Sequence, residues 1–182
     1  KRGGRIGVDL GQQALTYLRK QNVGVDGVLA KVKNYESAGF KLSYSNARYE
    51  GLSATQKAIN PLIVAADSIP FEQLLNYDSA HFPAKREVFL RSWLKQPGAQ
   101  SLVALNEGKI LSFGLIRPCS GCYKVGPLFA QDEQIAEDLL NALNNQIPVG
   151  EKYYLDIPEI NQAALHLVEK RKMNKVFATA RM

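Results

Sequence analysis

The sequence predicts an α/β fold, and three observations carry that expectation. Helix-period and strand-period apolar patterns alternate along the chain. Two strand-like runs near its centre are joined by a tight hairpin signal. One helix-then-strand succession occurs twice.

The chain opens on "KRGGRIGVDLGQQAL", a basic, glycine-rich turn that runs straight into a helix. Ile6, Leu10, Ala14 and Leu18 recur every four residues, which predicts a helix from about residue 7 to 20 with one apolar stripe. "VGVDGVLAK" is a short apolar segment, and "KVKNYESAGF" a second helix stopped by Gly39 in a left-handed cap. "FKLSYSNARYE" alternates as a strand does. The first 50 residues thus read turn, helix, strand, helix, strand, which is too little to close a core.

Residues 51 to 61, "GLSATQKAINP", combine glycine, proline and polar residues and read as a linker. After it come the apolar run "PLIVAAD" and helical patterns over 70–79 and 84–96, where Phe89 and Trp93 share a face that Leu90 and Leu94 extend. "SLVALNEGKILSFGLIRP" is two strands about Asn106-Glu107-Gly108, a hairpin signal because the glycine supplies positive φ. "CYKVGPLFA" is a third strand and "DEQIAEDLLNALNNQ" a helix with Ile135, Leu139 and Leu143 in register. "KYYLDI", "NQAALHLVEKRK" and "NKVFATAR" complete the order β-α-α-β-β-β-α-β-α-β.

A shift of 133 positions lays "NYESAGFKLSYSNARY" over "LVEKRKMNKVFATARM" and pairs Glu36 with Glu169, Ala47 with Ala180 and Arg48 with Arg181. Each segment ends the same succession of elements. The expectation is two copies of one domain type: 1–51 the back half of a first copy, 52–61 a linker, 62–182 a complete second copy.

Composition narrows the classes of function. With 182 residues, 46% apolar and 22% charged, the chain is ordinary for a globular protein and can bury a core. It has no run of about 18 apolar residues for a membrane span, and the expected location is the cytoplasm. Lys plus Arg, 23, exceed Asp plus Glu, 17, a net charge of +6. That excess suits nucleic acid or a polyanionic cofactor such as a nucleotide or coenzyme A, and it is not gathered in one block. Cys119 and Cys122 form the only CxxC, and a zinc site would need further ligands from just His81 and His166. No metal is expected.

"RGGRIG" at the head of a helix resembles the acyl-CoA pyrophosphate loop of the GCN5-related N-acetyltransferases (GNAT), and "NYESAGF" resembles that family's Tyr-x-x-x-Gly-Phe segment. Across nearly the whole chain the sequence is similar to a tandem group of these enzymes, in which a full transferase domain precedes an acetyltransferase-like one. The resemblance implies a mixed, mostly antiparallel sheet flanked by helices, in one partial and one complete copy whose first lacks its front half. It also implies acetyl-CoA as co-substrate and transfer of an acetyl group to an amine of a small molecule or a protein.

A helix N-terminus aims unpaired N–H groups at an anion, and glycines let the backbone approach. Arg2, Gly3, Gly4, Arg5, Ile6 and Gly7 are therefore the candidate diphosphate site, with Arg5 standing where the motif usually has glycine. The resemblance places Tyr35 at the CoA sulfur as proton donor to the departing thiolate, with Asn34 a weaker cofactor contact. Read without the motif, Tyr35 packs at its helix end.

The second copy lacks these features. Asp132 and Glu133 put carboxylates at the positive end of its helix, Val168 stands at the repeat position of Tyr35, and Lys172 and Met173 replace Gly-Phe. It reads as a degenerate domain with a structural role or as one wall of an acceptor site. His81 reads as a helix-end residue. Arg117 and Tyr123, flanking "CSGC", read as hairpin surface, with an acceptor carboxylate as the alternative. "EKRK" at 169–172 is a basic helix end, and Trp93 reads as core.

The competing expectations are an acyl-CoA-binding regulatory or structural module without turnover, and a basic interaction domain for nucleic acid. Neither a membrane nor nucleic acid is the expected partner. An isolated half-domain would expose the apolar faces of residues 8–18 and 40–49, so a homo-oligomer, a missing N-terminal segment or the second domain is expected to cover them.

Overall fold

The computed structural model describes residues 6–18, 20–55 and 60–182. Its elements are α1 (Ile6–Leu18), β1 (Asp26–Val28), α2 (Val32–Ser37), β2 (Tyr44–Leu52), β3 (Ile63–Ala65), α3 (Phe71–His81), α4 (Glu87–Leu94), β4 (Gln100–Asn106), β5 (Lys109–Cys119), β6 (Cys122–Ala130), α5 (Glu133–Asn144), β7 (Lys152–Pro158), α6 (Gln162–Lys170) and β8 (Asn174–Arg181). The eight strands form one mostly antiparallel sheet in the order β1-β8-β2-β7-β6-β5-β4-β3, flanked by helices. The β-α-α-β-β-β-α-β-α-β succession read from residue 62 onward is the one found. No helix among the described residues is long and apolar enough to cross a membrane.

The chain packs into two compact units, residues 1–44 with 179–182, and residues 45–178. In the smaller unit β1 lies antiparallel to the end of β8, pairing Asp26 with Arg181, Gly27 with Ala180 and Val28 with Thr179. The backbone bonds exchanged between Val25 and Met182, both 2.9 Å, extend that ladder by one pair. None of the residues of α1 is buried, and Ile6, Val8, Leu10 and Tyr17 are all exposed. The expected open face over 8–18 is present. Over 40–49 it is present only ahead of β2, where Leu42 is 54% exposed; within the strand β2 finds a partner in β7, which leaves Ala47 only 2% exposed.

In the larger unit two apolar layers sandwich the sheet. Leu139, Leu140 and Leu143 of α5 and Leu167 and Val168 of α6 pack with Val125, Leu155 and Ile157. Leu74 and Leu75 of α3 and Leu90 of α4 pack with Val103, Ile110 and Phe113. Covered on both faces, β5 is a near-continuous buried run from Ser112 to Ile116, where a half-exposed strand would alternate. Gly114 sits in that run because α5 lies directly on it; a Cβ there would fall 2.9 Å from Leu143 and 3.0 Å from Leu139. The β4–β5 turn has φ of 47° at Glu107 and 77° at Gly108, the doubly left-handed geometry that matches strand twist in a two-residue hairpin.

Helix α4 is shorter than the pattern over 84–96 suggests. It stops before Pro97, whose ring disfavours helical backbone at the preceding residue, and Gly98 turns away at φ 72°.

The crossover through α5 makes β6 and β7 parallel. Their pairing covers only Tyr123 with Tyr153, Lys124 with Tyr154 and Val125 with Leu155. Beyond Val125 no further pairs are made, and Pro127 has no N–H to offer. A cleft of about 660 Å³ occupies the space, floored by Leu155, Ile157 and Leu128 and reaching the start of α5.

Candidate functional site

In the smaller unit the candidate residues Arg2, Gly3, Gly4 and Arg5 lie outside the described residues. Ile6 and Gly7 form the first turn of α1, and a Cβ added at Gly7 would meet no atom within 4 Å. Asn34 is exposed and Tyr35 half-buried on α2.

The end of α2 explains the "NYESAGF" motif in physical terms. Phe40 N–H donates to the Tyr35 carbonyl at 3.1 Å and Gly39 N–H to the Glu36 carbonyl at 2.9 Å, with Gly39 at φ 92°. This is the two-bond left-handed helix stop known as a Schellman motif, and the apolar contact that accompanies it is the edge-on packing of Tyr35 on Phe40, ring centres 6.2 Å apart. The other side of the Tyr35 ring lies against Gly27 of β1, so closely that a Cβ there would overlap the ring. Tyr35 is thus both a packing residue and a phenol held in one orientation.

The 133-residue echo extends to conformation. At the end of α6, Met173 N–H donates to the Val168 carbonyl and Lys172 N–H to the Glu169 carbonyl, both 2.9 Å, with Lys172 at φ 53°. Val168 and Met173 make the matching contact inside the core. The second helix stop keeps the geometry of the first with no hydroxyl. The head of α5 differs from the basic loop in kind. Asp132 accepts a bond from Ile135 N–H at 2.9 Å as helix cap, and Glu133 pairs with His166 at 2.6 Å. Two carboxylates stand where a diphosphate would meet the helix dipole, so this end of the cleft does not suit one.

The strongest electrostatic cluster of the larger unit escaped the sequence reading. Asp156 of β7 takes two bonds from Arg48 of β2, at 2.7 and 3.0 Å, and one from Lys124 of β6 at 2.6 Å. Burial alone pushes the Asp156 carboxyl up, but the two cations outweigh it and hold its pKa below the ordinary value. The bond to Asp156 in turn raises the Arg48 pKa. On the same strands Glu50 bonds to Tyr154 at 2.9 Å and pairs with Lys152 at 3.0 Å. Contact with Lys152 lowers the Glu50 pKa, and contact with Glu50 raises that of Lys152. The one available signal was a lone carboxylate in the otherwise apolar "YYLDI".

Other singled-out residues resolve as follows. His81 ends α3, with Nδ1 2.9 Å from the Tyr77 carbonyl and its ring stacked on Phe129 at 4.8 Å. Tyr77 is half-buried, which pushes its phenol up to about 12. Cys119 and Cys122 face each other across the β5–β6 turn, Sγ atoms 2.7 Å apart, and burial, followed by the bond to Cys119, pushes the Cys122 thiol up to about 11. Tyr123 packs at the edge of the α5–α6 core layer. Lys170 of the basic helix end pairs with Glu137 at 2.6 Å. Trp93 is half-buried and not core: its indole N–H donates to the Gly126 carbonyl at 2.9 Å, and Arg117, read as hairpin surface, lies over its ring.

The chain is 24% identical to the holothin acyltransferase of Pseudoalteromonas sp. (strain SANK 73390), covering all of this chain and 62% of that protein. The crystal structure of a candidate acetyltransferase from Pyrococcus horikoshii superposes with a TM-score of 0.81 at 26% identity, over all of this chain and 60% of that one. A GCN5-related N-acetyltransferase from Sphaerobacter thermophilus shares the fold, with a TM-score of 0.63 at 15% identity over 99% of this chain and 68% of its own. The chain thus spans about three-fifths of the first two relatives. The sequence model of the acetyltransferase (GNAT) domain matches residues 74–182, more than half of the chain, which therefore belongs to the GNAT acetyltransferase family.

Proposed function

We propose that the chain is part of a tandem acetyl-CoA-dependent N-acetyltransferase that transfers the acetyl group directly to an amine. The smaller unit carries the donor site: Arg2, Gly3, Gly4, Arg5, Ile6 and Gly7 bind the diphosphate at the head of α1, and Asn34 contributes a further contact. Acetyl-CoA, when bound, supplies the activated thioester. The amine forms the new C–N bond as the C–S bond breaks, the Tyr35 hydroxyl gives its proton to the leaving sulfur, and the proton shed by the acylated amine passes to solvent, from which Tyr35 is reprotonated. The observation that supports this reading is the fixed Tyr35, packed against Gly27 and Phe40 on the segment that resembles the family's Tyr-x-x-x-Gly-Phe.

The acceptor is a small-molecule or protein amine. The holothin acyltransferase carries its acceptor in its name, and at 24% identity we take from it acyl transfer and not that acceptor.

The test is a calorimetric titration of acetyl-CoA into the wild-type chain and Tyr35→Phe, with release of free CoA thiol followed over a panel of amines. Retained affinity with turnover lowered about 10²-fold or more supports the assignment. Unchanged turnover removes Tyr35 from it.

A second reading, an acyl-CoA-binding regulatory or structural module without turnover, is favoured by the larger unit. There the helix head is closed by its own Asp132 and Val168 replaces the tyrosine. Wild-type binding with no thiol release for any amine selects this reading.

A further inference from the structure

The larger unit holds a second cavity, of about 330 Å³, between α4 and the β5–β6 pair. Its walls are aromatic: Phe82, Phe89 and Trp93 from the α3–α4 region and Phe129 from β6. Trp93 is fixed by its bond to Gly126, and Phe89 stacks on it at 5.1 Å with the planes 22° apart.

The charges around this cavity do not balance. Arg117 and Lys124 are register partners on β5 and β6, so their side chains emerge side by side, an arrangement that repels. Lys124 has its carboxylate in Asp156, but Asp156 already accepts both bonds of Arg48. Arg86, a third cation in the wall, is neutralised by Asp78. For Arg117 no carboxylate lies within ion-pair distance among the described residues.

Its guanidinium sits 4.8 Å over the Trp93 ring, its Nε is buried with no acceptor, and Nη1 reaches only the Pro118 carbonyl at 3.3 Å. A donor that is desolvated and left without a partner is costly, and native structures leave few of them.

We propose that this cavity binds a small carboxylate carried on an aromatic or similarly flat group. The carboxylate meets the Arg117 guanidinium, whose planar fork matches it, and the flat part lies against the aromatic walls. One uncommitted guanidinium and a volume at the lower end for ligand sites fit a monocarboxylate better than a polyphosphate. The site shares no residue with the donor loop or Tyr35, so it stands or falls separately from the acyl-transfer reading.

Trp93 is the only tryptophan, so its emission reports directly on this cavity. The probe is phenylacetate, with phenethylamine and phenylphosphonate as controls and ligand proton line widths as a second readout. We expect a saturable emission change with a Kd of about 1 mM or tighter, and binding of the amine at least about tenfold weaker. Arg117→Gln is expected to weaken phenylacetate at least about tenfold at an unchanged circular dichroism spectrum. No saturable change together with unbroadened ligand lines overturns the proposal, as does equal binding of the amine or unimpaired binding by folded Arg117→Gln. Tighter binding of phenylphosphonate than of phenylacetate overturns the carboxylate assignment. Should Arg117→Gln fail to fold, the comparison of the three probes on the wild-type chain decides.

Discussion

Asp78 is the side chain whose loss should be felt most. It lies on α3 with no exposed surface, and Arg86, whose side chain is 19% exposed, grips it at 2.8 and 2.7 Å in a two-pronged bond. The guanidinium also lies 3.9 Å over Phe82 and 4.9 Å over Phe89, so the pair ties the segment before α4 to α3. Asp78→Ala leaves the arginine charge largely desolvated and unpaired, which costs about 3–5 kcal/mol. That is a large part of the roughly 5–15 kcal/mol that holds a protein folded. For a chain of this length it corresponds to a fall in Tm of roughly 6–20 °C.

Urea unfolding followed by Trp93 emission reads this directly, because Trp93 and the pair sit in the same unit. We expect a lower midpoint at an unchanged slope. The double change Asp78→Leu with Arg86→Met removes both charges and should recover most of the loss. A single-variant loss under about 1 kcal/mol would show that water screens the pair and that the reasoning from burial is wrong.

Three further perturbations test the packing and the electrostatics. Lys172→Gly relieves a left-handed backbone at a position whose repeat partner, Gly39, has no side chain to strain, so a stabilisation of up to about 1 kcal/mol should appear as a raised urea midpoint. Gly114→Ala pushes a methyl to within 3.0 Å of Leu143 and Leu139 and should lose about 1–3 kcal/mol in the same assay. The Asp156 carboxyl, held below its ordinary 3.8, contributes stability that is present above that value and is lost as pH falls through it toward the folded pKa. Since the carboxylate is 40% exposed, the contribution is no more than about 1 kcal/mol, and Asp156→Asn should flatten the loss of stability below about pH 5.

The fold was largely legible because its signals are local. The helix and strand periods, the Glu107-Gly108 turn and the Gly39 stop each depend on residues within a few positions, and the elements appear in the order the pattern gives, with α4 shortened at both ends. What escaped depends on which strands meet. Asp156 gains meaning only when β7 lies between β2 and β6 and brings it to Arg48 and Lys124. Arg117 looked like hairpin surface because nothing in "IRPCSGC" announces that Trp93, 24 positions earlier, will lie beneath it. The α1 stripe shows the converse: an apolar period predicts the helix, and nothing in it says what the helix packs against.

Two of the three identities of the internal echo acquire a common explanation from strand pairing. Arg48 stands opposite Asp156 in the β2–β7 ladder and pairs with it at 2.7 Å; Arg181 stands opposite Asp26 in the β8–β1 ladder and pairs with it at 3.1 Å. The alanines preceding them, Ala47 and Ala180, are both buried at their ladders, where a larger side chain would collide with its neighbours. Glu36 and Glu169 each supply the carbonyl that closes a left-handed helix stop.

The repeat therefore preserves one structural unit, a capped helix followed by a strand whose arginine needs a cross-strand carboxylate. That carboxylate lies on β7 for Arg48 and on β1 for Arg181. All but the first residue of β2 belongs to the larger unit, while Thr179–Met182, at the end of β8, belongs to the smaller one.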